Sequence, residues 1–253
     1  MTGSQAQPPG MTLKQRVGRF VFKCLPVSRH VFDHFRLELD AWGVRMAHRL
    51  NPYYLLRVRW LKKQQNLLVN LGCGPYGQAE GWINLDLSPL QHVYLRTDCR
   101  RKLPLADRSC LGIHVEMFLE HLDPYDEIPH FLAEIQRCLQ PDGVARFIVP
   151  DAELFIRAYL SPGWEALNRI SYGCEDWSQQ YACKMDALNH VFQQGYEHYG
   201  GWDFERLQML LADAGFATIR RQAFGVGDFP SGPIDREYHR QNGLYVEASR
   251  SHG

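Results

Sequence analysis

An α/β fold is what this sequence predicts: a mostly parallel sheet of seven strands with helices on both faces. Three observations carry the prediction. Short apolar runs of strand length recur at 67–71, 82–87, 92–98, 111–115 and 144–151, set apart by turns and helical stretches. The first run ends in a Gly-x-Gly turn, and the second ends in a carboxylate.

Leu67-Leu68-Val69-Asn70-Leu71 reads as a buried parallel strand, and Gly72-Cys73-Gly74-Pro75 after it lets a ligand approach the backbone closely. Trp82-Ile83-Asn84-Leu85-Asp86-Leu87 is the second strand, whose Asp86 can accept hydrogen bonds from two ribose hydroxyls. Together they point to a nucleoside-cofactor site. The third run, His92 to Asp98, is followed by Leu111-Gly112-Ile113-His114-Val115, which leads into Glu116-Met117-Phe118-Leu119-Glu120-His121-Leu122. A helix comes next, then a Leu139-Gln140-Pro141-Asp142-Gly143 turn and a fifth strand over 144–151. Asp151 to Leu160 reads as a helix stopped by Ser161-Pro162-Gly163. Asp203 has the form of an N-cap for a helix over 204–216, and strands near 217–224 and 243–249 complete the sheet.

These motifs resemble a class I S-adenosylmethionine-dependent methyltransferase, closest to the methyltransferase type 11 group and to members with a compressed segment between the first two strands. The resemblance covers residues 65–160 well and 203–250 more loosely. It implies a Rossmann-like sheet with an antiparallel last strand and S-adenosylmethionine as cofactor. It places Gly72, Cys73 and Gly74 beside the amino-acid and ribose portions, Asp86 with Leu87 on the ribose, Asp98 with Cys99 at the adenine, and Val115 with Glu116 beside the methionine. One departure stands out. Only nine residues separate Gly72 from Trp82, too few for the usual helix and its connection. A dinucleotide dehydrogenase would share the Gly-x-Gly-x-x-Gly spacing that Gly72, Gly74 and Gly77 satisfy, but Asp86 comes too early for that fingerprint.

The 253 residues suit one domain with additions: a polar tail at 1–10, an N-terminal helical cap at 11–64, and a methyltransferase domain at 65–253 with a substrate lid at 161–202. No stretch approaches the roughly 20 apolar residues that span a bilayer, and the first residues lack the apolar core of a signal peptide. The seven cysteines include no Cys-x-x-Cys pair, so neither a disulfide framework nor a metal site is expected, and cytoplasm is the default compartment. Cys73 and Cys99 read as packing thiols. Residues 11–63 hold twelve Lys and Arg against three acids. There Leu13, Val17, Phe20, Val21, Cys24 and Leu25 recur at helical spacing behind a Thr12/Gln15 capping box. A basic amphipathic helix of this kind packs over the domain as a cap or lies at an anionic membrane surface.

Residues 164–202 are rich in aromatics, and they emerge beyond the end of the fifth strand, where ligands sit in such sheets. The alternative to a lid is a secondary hydrophobic cluster. His190 and His198, from this segment, and Glu116, from the end of the fourth strand, are the candidate general bases; His121 in Glu120-His121-Leu122 reads as structural. The expected activity is methyl transfer from S-adenosylmethionine to a small-molecule or saccharide-like (glycan) acceptor at O or N. The alternatives are a non-catalytic binding protein of the same fold and an RNA methyltransferase. A pI near 7.2 and the lack of an Asn/Asp-Pro-Pro-Tyr/Phe signature after the fourth strand argue against nucleic acid.

Overall fold

The computed structural model describes residues 28–77, 80–232 and 234–250. The polar tail and the capping box and apolar stripe of the basic N-terminal segment lie outside the described residues. Two compact units divide the chain between Trp42 and Gly43. Helix α1 (Arg29–Leu50) runs through that boundary. Among the described residues no helix is long and apolar enough to cross a membrane.

In the second unit, helix α2 (Pro52–Leu61) starts where Asn51 caps the Tyr53 amide at 3.0 Å and Pro52 fills the first helical position. Seven strands follow: β1 (Leu67–Leu71), β2 (Trp82–Asp86), β3 (Leu95–Arg96), β4 (Cys110–Glu116), β5 (Leu139–Pro150), β6 (Thr218–Gln222) and β7 (Gly243–Ser249). Their order is β3-β2-β1-β4-β5-β7-β6, with β7 antiparallel to both neighbours and the remaining pairs parallel. Helices α3 (Glu127–Cys138), α4 (Ala152–Leu160), α5 (Glu165–Ile170), α6 (Lys184–Gln193) and α7 (Phe204–Asp213) pack around the sheet and on one another. Asp203 caps α7 through the Arg206 amide at 2.8 Å, as the sequence predicts.

Two elements differ from expectation. The third strand is two residues long, because Thr97 and Asp98 turn their side chains onto nearby backbone groups, Leu95 O and Arg100 N. The fifth strand begins at Leu139 rather than 144: Leu139 pairs with Cys110 and Val144 with Gly112, so Gln140–Gly143 loop out as a long bulge. Residues 72–77 form no helix.

The two faces of the sheet differ in chemistry. One carries Val69, Leu71, Ile83, Leu85, Ile113, Val115, Phe147 and Val246 into the main core, packed with Phe131, Ile135 and Leu207 from α3 and α7. The other carries a row in strict register across six strands: Asn84, Asn70, His114, Arg146, Glu247 and Arg220. Its middle is covered by the connection between β6 and β7. Phe229 stacks on Trp82 and closes over Gly112, and Asp235 meets Arg146. A second core, Phe155, Leu167, Trp177, Leu188 and Val191, forms among α4, α5 and α6.

Candidate active site

In an open α/β sheet ligands bind outside the carboxyl ends of the strands, at the point where strand order reverses. Here that point lies between β1 and β4. Gly72 and Gly74, just past β1, both hold positive φ (64° and 50°), a conformation that strains any residue with a Cβ. They differ in what they face. A Cβ on Gly72 would strike the Phe118 ring at 2.3 Å, whereas one on Gly74 would meet open space. Gly74 is therefore where a ligand can lie against the backbone.

Asp86, at the end of β2, turns toward this turn. Its Oδ2 accepts from the Gly74 amide at 2.8 Å and its Oδ1 from the Ser88 amide at 2.7 Å. Each oxygen keeps a lone pair for a ligand hydroxyl. The Gly74 cradle with this carboxylate beside it fits a ribose. Leu87 is half-buried, and its carbonyl accepts from Arg96 Nε at 2.8 Å. Burial, reinforced by Asp86, pushes the Cys73 thiol up to about 12, and burial raises Cys99 as well, so both thiols pack rather than react.

Asp98 sits beyond β3 with its carboxylate fully engaged. Oδ1 accepts from Arg100 Nε (2.9 Å) and the Arg100 amide (3.3 Å), and Oδ2 from Arg100 Nη2 (3.3 Å) and Arg45 Nη1. Burial alone would raise this carboxyl; the two guanidinium groups outweigh it and hold it below the usual range. A ligand amino group arriving here would compete with both arginines. Within the second unit, Arg45, His48 on the Arg96 carbonyl (2.6 Å) and Arg57 on the Tyr94 carbonyl also fasten residues 45–57 along the β3 edge.

Val115 is fully buried in the main core, and Glu116 after it faces the opposite side. Burial raises the Glu116 carboxyl, and Arg236 opposes the rise through Nε at 2.8 Å and its amide at 3.3 Å. The Arg236 guanidinium lies over the Tyr76 ring, 4.3 Å from its centroid. Together with Pro75, Gly77, His92 and Ile234 these two residues line a cleft of about 460 Å³. His92 bonds the Gly74 carbonyl at 2.8 Å, so the cleft is continuous with the glycine turn.

None of the three candidate bases lines this cleft: Glu116 adjoins it through Arg236, and the two histidines lie elsewhere. His190, on α6, packs against Tyr181 and Trp177, with ring centroids 5.6 and 6.5 Å away. His198 bonds the Val191 carbonyl at 2.8 Å, and burial lowers it to about 4. The insertion reaches the cleft's neighbourhood through Tyr172, which stacks on Tyr238 near Arg236. Tyr76, His92 and Arg236 escape sequence reasoning: Tyr76 and His92 stand at unmarked positions of the glycine turn and the third run, and Arg236 stands 120 residues from the Glu116 that it meets.

Residues 69–147 match the family described as "Methyltransferase domain", of the type 11 group. A search of curated proteins found no match. Solved structures similar to the chain include an S-adenosylmethionine-dependent methyltransferase from Archaeoglobus fulgidus (13% identity, 83% of this chain and 100% of that one, TM-score 0.43). A second is a possible histamine N-methyltransferase from Thermotoga maritima (19% identity, 88% and 100%, TM-score 0.45). A third is the CMeT domain of the citrinin polyketide synthase (12% identity, 75% of this chain, TM-score 0.41); the chain spans about half of that structure's length, 47%. At these values the likenesses carry no weight, and the assignment stands on the family match, the strand order with antiparallel β7, and the glycine turn with Asp86 beside it. On those grounds residues 69–147 carry a methyltransferase domain like those of the type 11 group, and the chain is an enzyme with S-adenosylmethionine as its cofactor.

Proposed function

We propose that the acceptor is a small molecule or a saccharide-like compound, methylated at oxygen or nitrogen. The observation that carries this reading is the cleft of about 460 Å³ beside the glycine turn, within the range of small-molecule pockets and walled by Tyr76, His92 and Arg236. Aromatic faces suit the apolar CH patches of sugars, and a guanidinium donates to acceptor oxygens. Bound S-adenosylmethionine supplies an electrophilic methyl group on a sulfonium centre. The chain's own contribution is to hold donor and acceptor in line and to remove a proton.

In this reading Gly72, Cys73 and Gly74 form the backbone cradle, and Asp86 with Leu87 holds the ribose. Asp98 and Cys99 would bound the adenine end, where Arg45 and Arg100 already bond the Asp98 carboxylate. Val115 and Glu116 flank the methionine end. Glu116 is favoured over His190 and His198 as the base because it adjoins the cleft-lining Arg236.

Calorimetric titration with S-adenosylmethionine and S-adenosylhomocysteine tests the cofactor site, with NAD as control. Asp86→Ala is expected to weaken binding about 10- to 100-fold, the worth of hydrogen bonds to a charged group, and Asp86→Asn less. Unchanged affinity in a folded Asp86→Ala would remove Asp86 from the site. Methyl-transfer assays on small-molecule and glycan panels then test the acceptor class; activity confined to RNA or protein would overturn it.

A further inference from the structure

Outside the cleft, the fold brings His198 together with the neighbours Glu120 and His121. Glu120 and His121 lie on the short turn after β4, and His198 lies near the end of the 161–202 insertion. One carboxylate oxygen of Glu120 and one nitrogen of each ring lie within 4.8 Å of one another, and the two imidazoles meet edge to face at 4.6 Å between centroids.

Three features make this more than a polar cluster. Glu120 is 1% exposed, yet among the described residues its Oε2 has no hydrogen-bond partner, which leaves an acceptor stranded in a dry environment. His198 Nδ1 lies 2.8 Å from the Val191 carbonyl, and His121 Nδ1 lies 3.1 Å from the Glu197 carbonyl. A carbonyl can only accept, so each Nδ1 carries the proton and each Nε2 keeps its lone pair. That is the arrangement by which backbone carbonyls orient metal-binding histidines. The Tyr199 amide donates to the Glu120 carbonyl at 2.9 Å, which fixes the two segments against each other without using any of the three side-chain donors.

We propose that Glu120, His121 and His198 bind one divalent transition-metal ion, zinc or a first-row neighbour, and that the ion staples the insertion to the turn after β4. Two imidazoles and one carboxylate suit Zn²⁺, Co²⁺ or Fe²⁺ and disfavour Mg²⁺ and Ca²⁺, which take oxygen ligands. Three protein donors leave a tetrahedral ion one position for water or another oxygen. Glu120 Oε2 gains the partner that it lacks.

The test uses the full chain stripped with a chelator and titrated calorimetrically with ZnCl₂. One ion per chain is expected, displaceable by Co²⁺ but not by Mg²⁺. His198→Ala and Glu120→Gln should each weaken binding by more than about 100-fold, the upper end for loss of a mere orienting partner. His130→Ala, an exposed histidine on α3, should bind as the parent does. Should either ligand variant fail to fold, proton NMR of the Co²⁺-loaded parent decides: two exchangeable, strongly shifted ring N–H resonances are expected, one from each Nδ1–H. Sub-stoichiometric binding, undiminished binding in folded variants, or absence of the two resonances would overturn the proposal.

Discussion

Arg236 gives the candidate site its electrostatic character. Glu116 is 7% exposed, and burial drives its carboxyl toward the protonated form while the guanidinium at 2.8 Å pulls it back. If Glu116 takes the acceptor's proton, activity fades as pH falls through its titration. Arg236→Ala removes the opposing charge, so the acid limb of the kcat/KM profile should move to higher pH, and Arg236→Lys should restore most of the shift. An acid limb that stays in place in the alanine variant would take Glu116 out of the proton-transfer step. Asp86 could be picked from the sequence because it ends an apolar run after Gly-x-Gly, a local pattern. Arg236 could not, because a lone arginine in a Gly- and Pro-containing connection has no periodicity to reveal its partner.

That connection, between β6 and β7, is held down by one buried cation. Arg146 on β5 is 0% exposed; its Nε and Nη2 each bond an Asp235 oxygen at 2.6 Å, and Nη1 bonds Glu247 at 2.9 Å. Further bonds to the Val226 and Ala223 carbonyls complete the guanidinium's donors. Removing it leaves two buried carboxylates unpaired, so Arg146→Met should cost about 3–5 kcal/mol in chemical denaturation. Adding Asp235→Asn and Glu247→Gln to that variant should recover part of the loss. Because Asp235 precedes Arg236, the single Arg146→Met change should also weaken catalysis through loss of position. The strands themselves are legible in sequence as apolar runs, with errors confined to ends: β3 is shortened by side chains that bond their own neighbourhood, and β5 is lengthened by a bulge. The second core at 155–191 was harder to read, since its short helices show little periodicity and its aromatics suggest a lid as readily as a cluster.

On the scale of the whole molecule, the polar face ties stability to pH. His114 is enclosed by Asn70, Glu116, Arg146, Asp235 and Arg236, and desolvation lowers it from 6.5 to about 3. The unfolded chain therefore takes up this proton near pH 6.5, whereas the folded chain does so only near 3. The stabilisation from His114 is complete above 6.5 and is lost progressively as pH falls through that window. Between pH 7 and pH 5 it should diminish by about 2 kcal/mol. His239, lowered to about 4 chiefly by burial and then by Arg236, adds a loss of the same sign and nearly the same size over this range. Urea midpoints measured at the two pH values check this, and His114→Gln should flatten the slope; an unchanged slope would show that His114 titrates alike in both states. The row to which His114 belongs has a further effect, on how the chain finds its alignment. Asn84, Asn70, His114, Arg146 and Glu247 stand at one height on adjacent strands, each flanked by apolar residues that face the other way. A slip of one residue in any strand would thrust its polar member into oil and turn its aliphatic neighbours toward charge, so the observed alignment is strongly favoured over any slipped one.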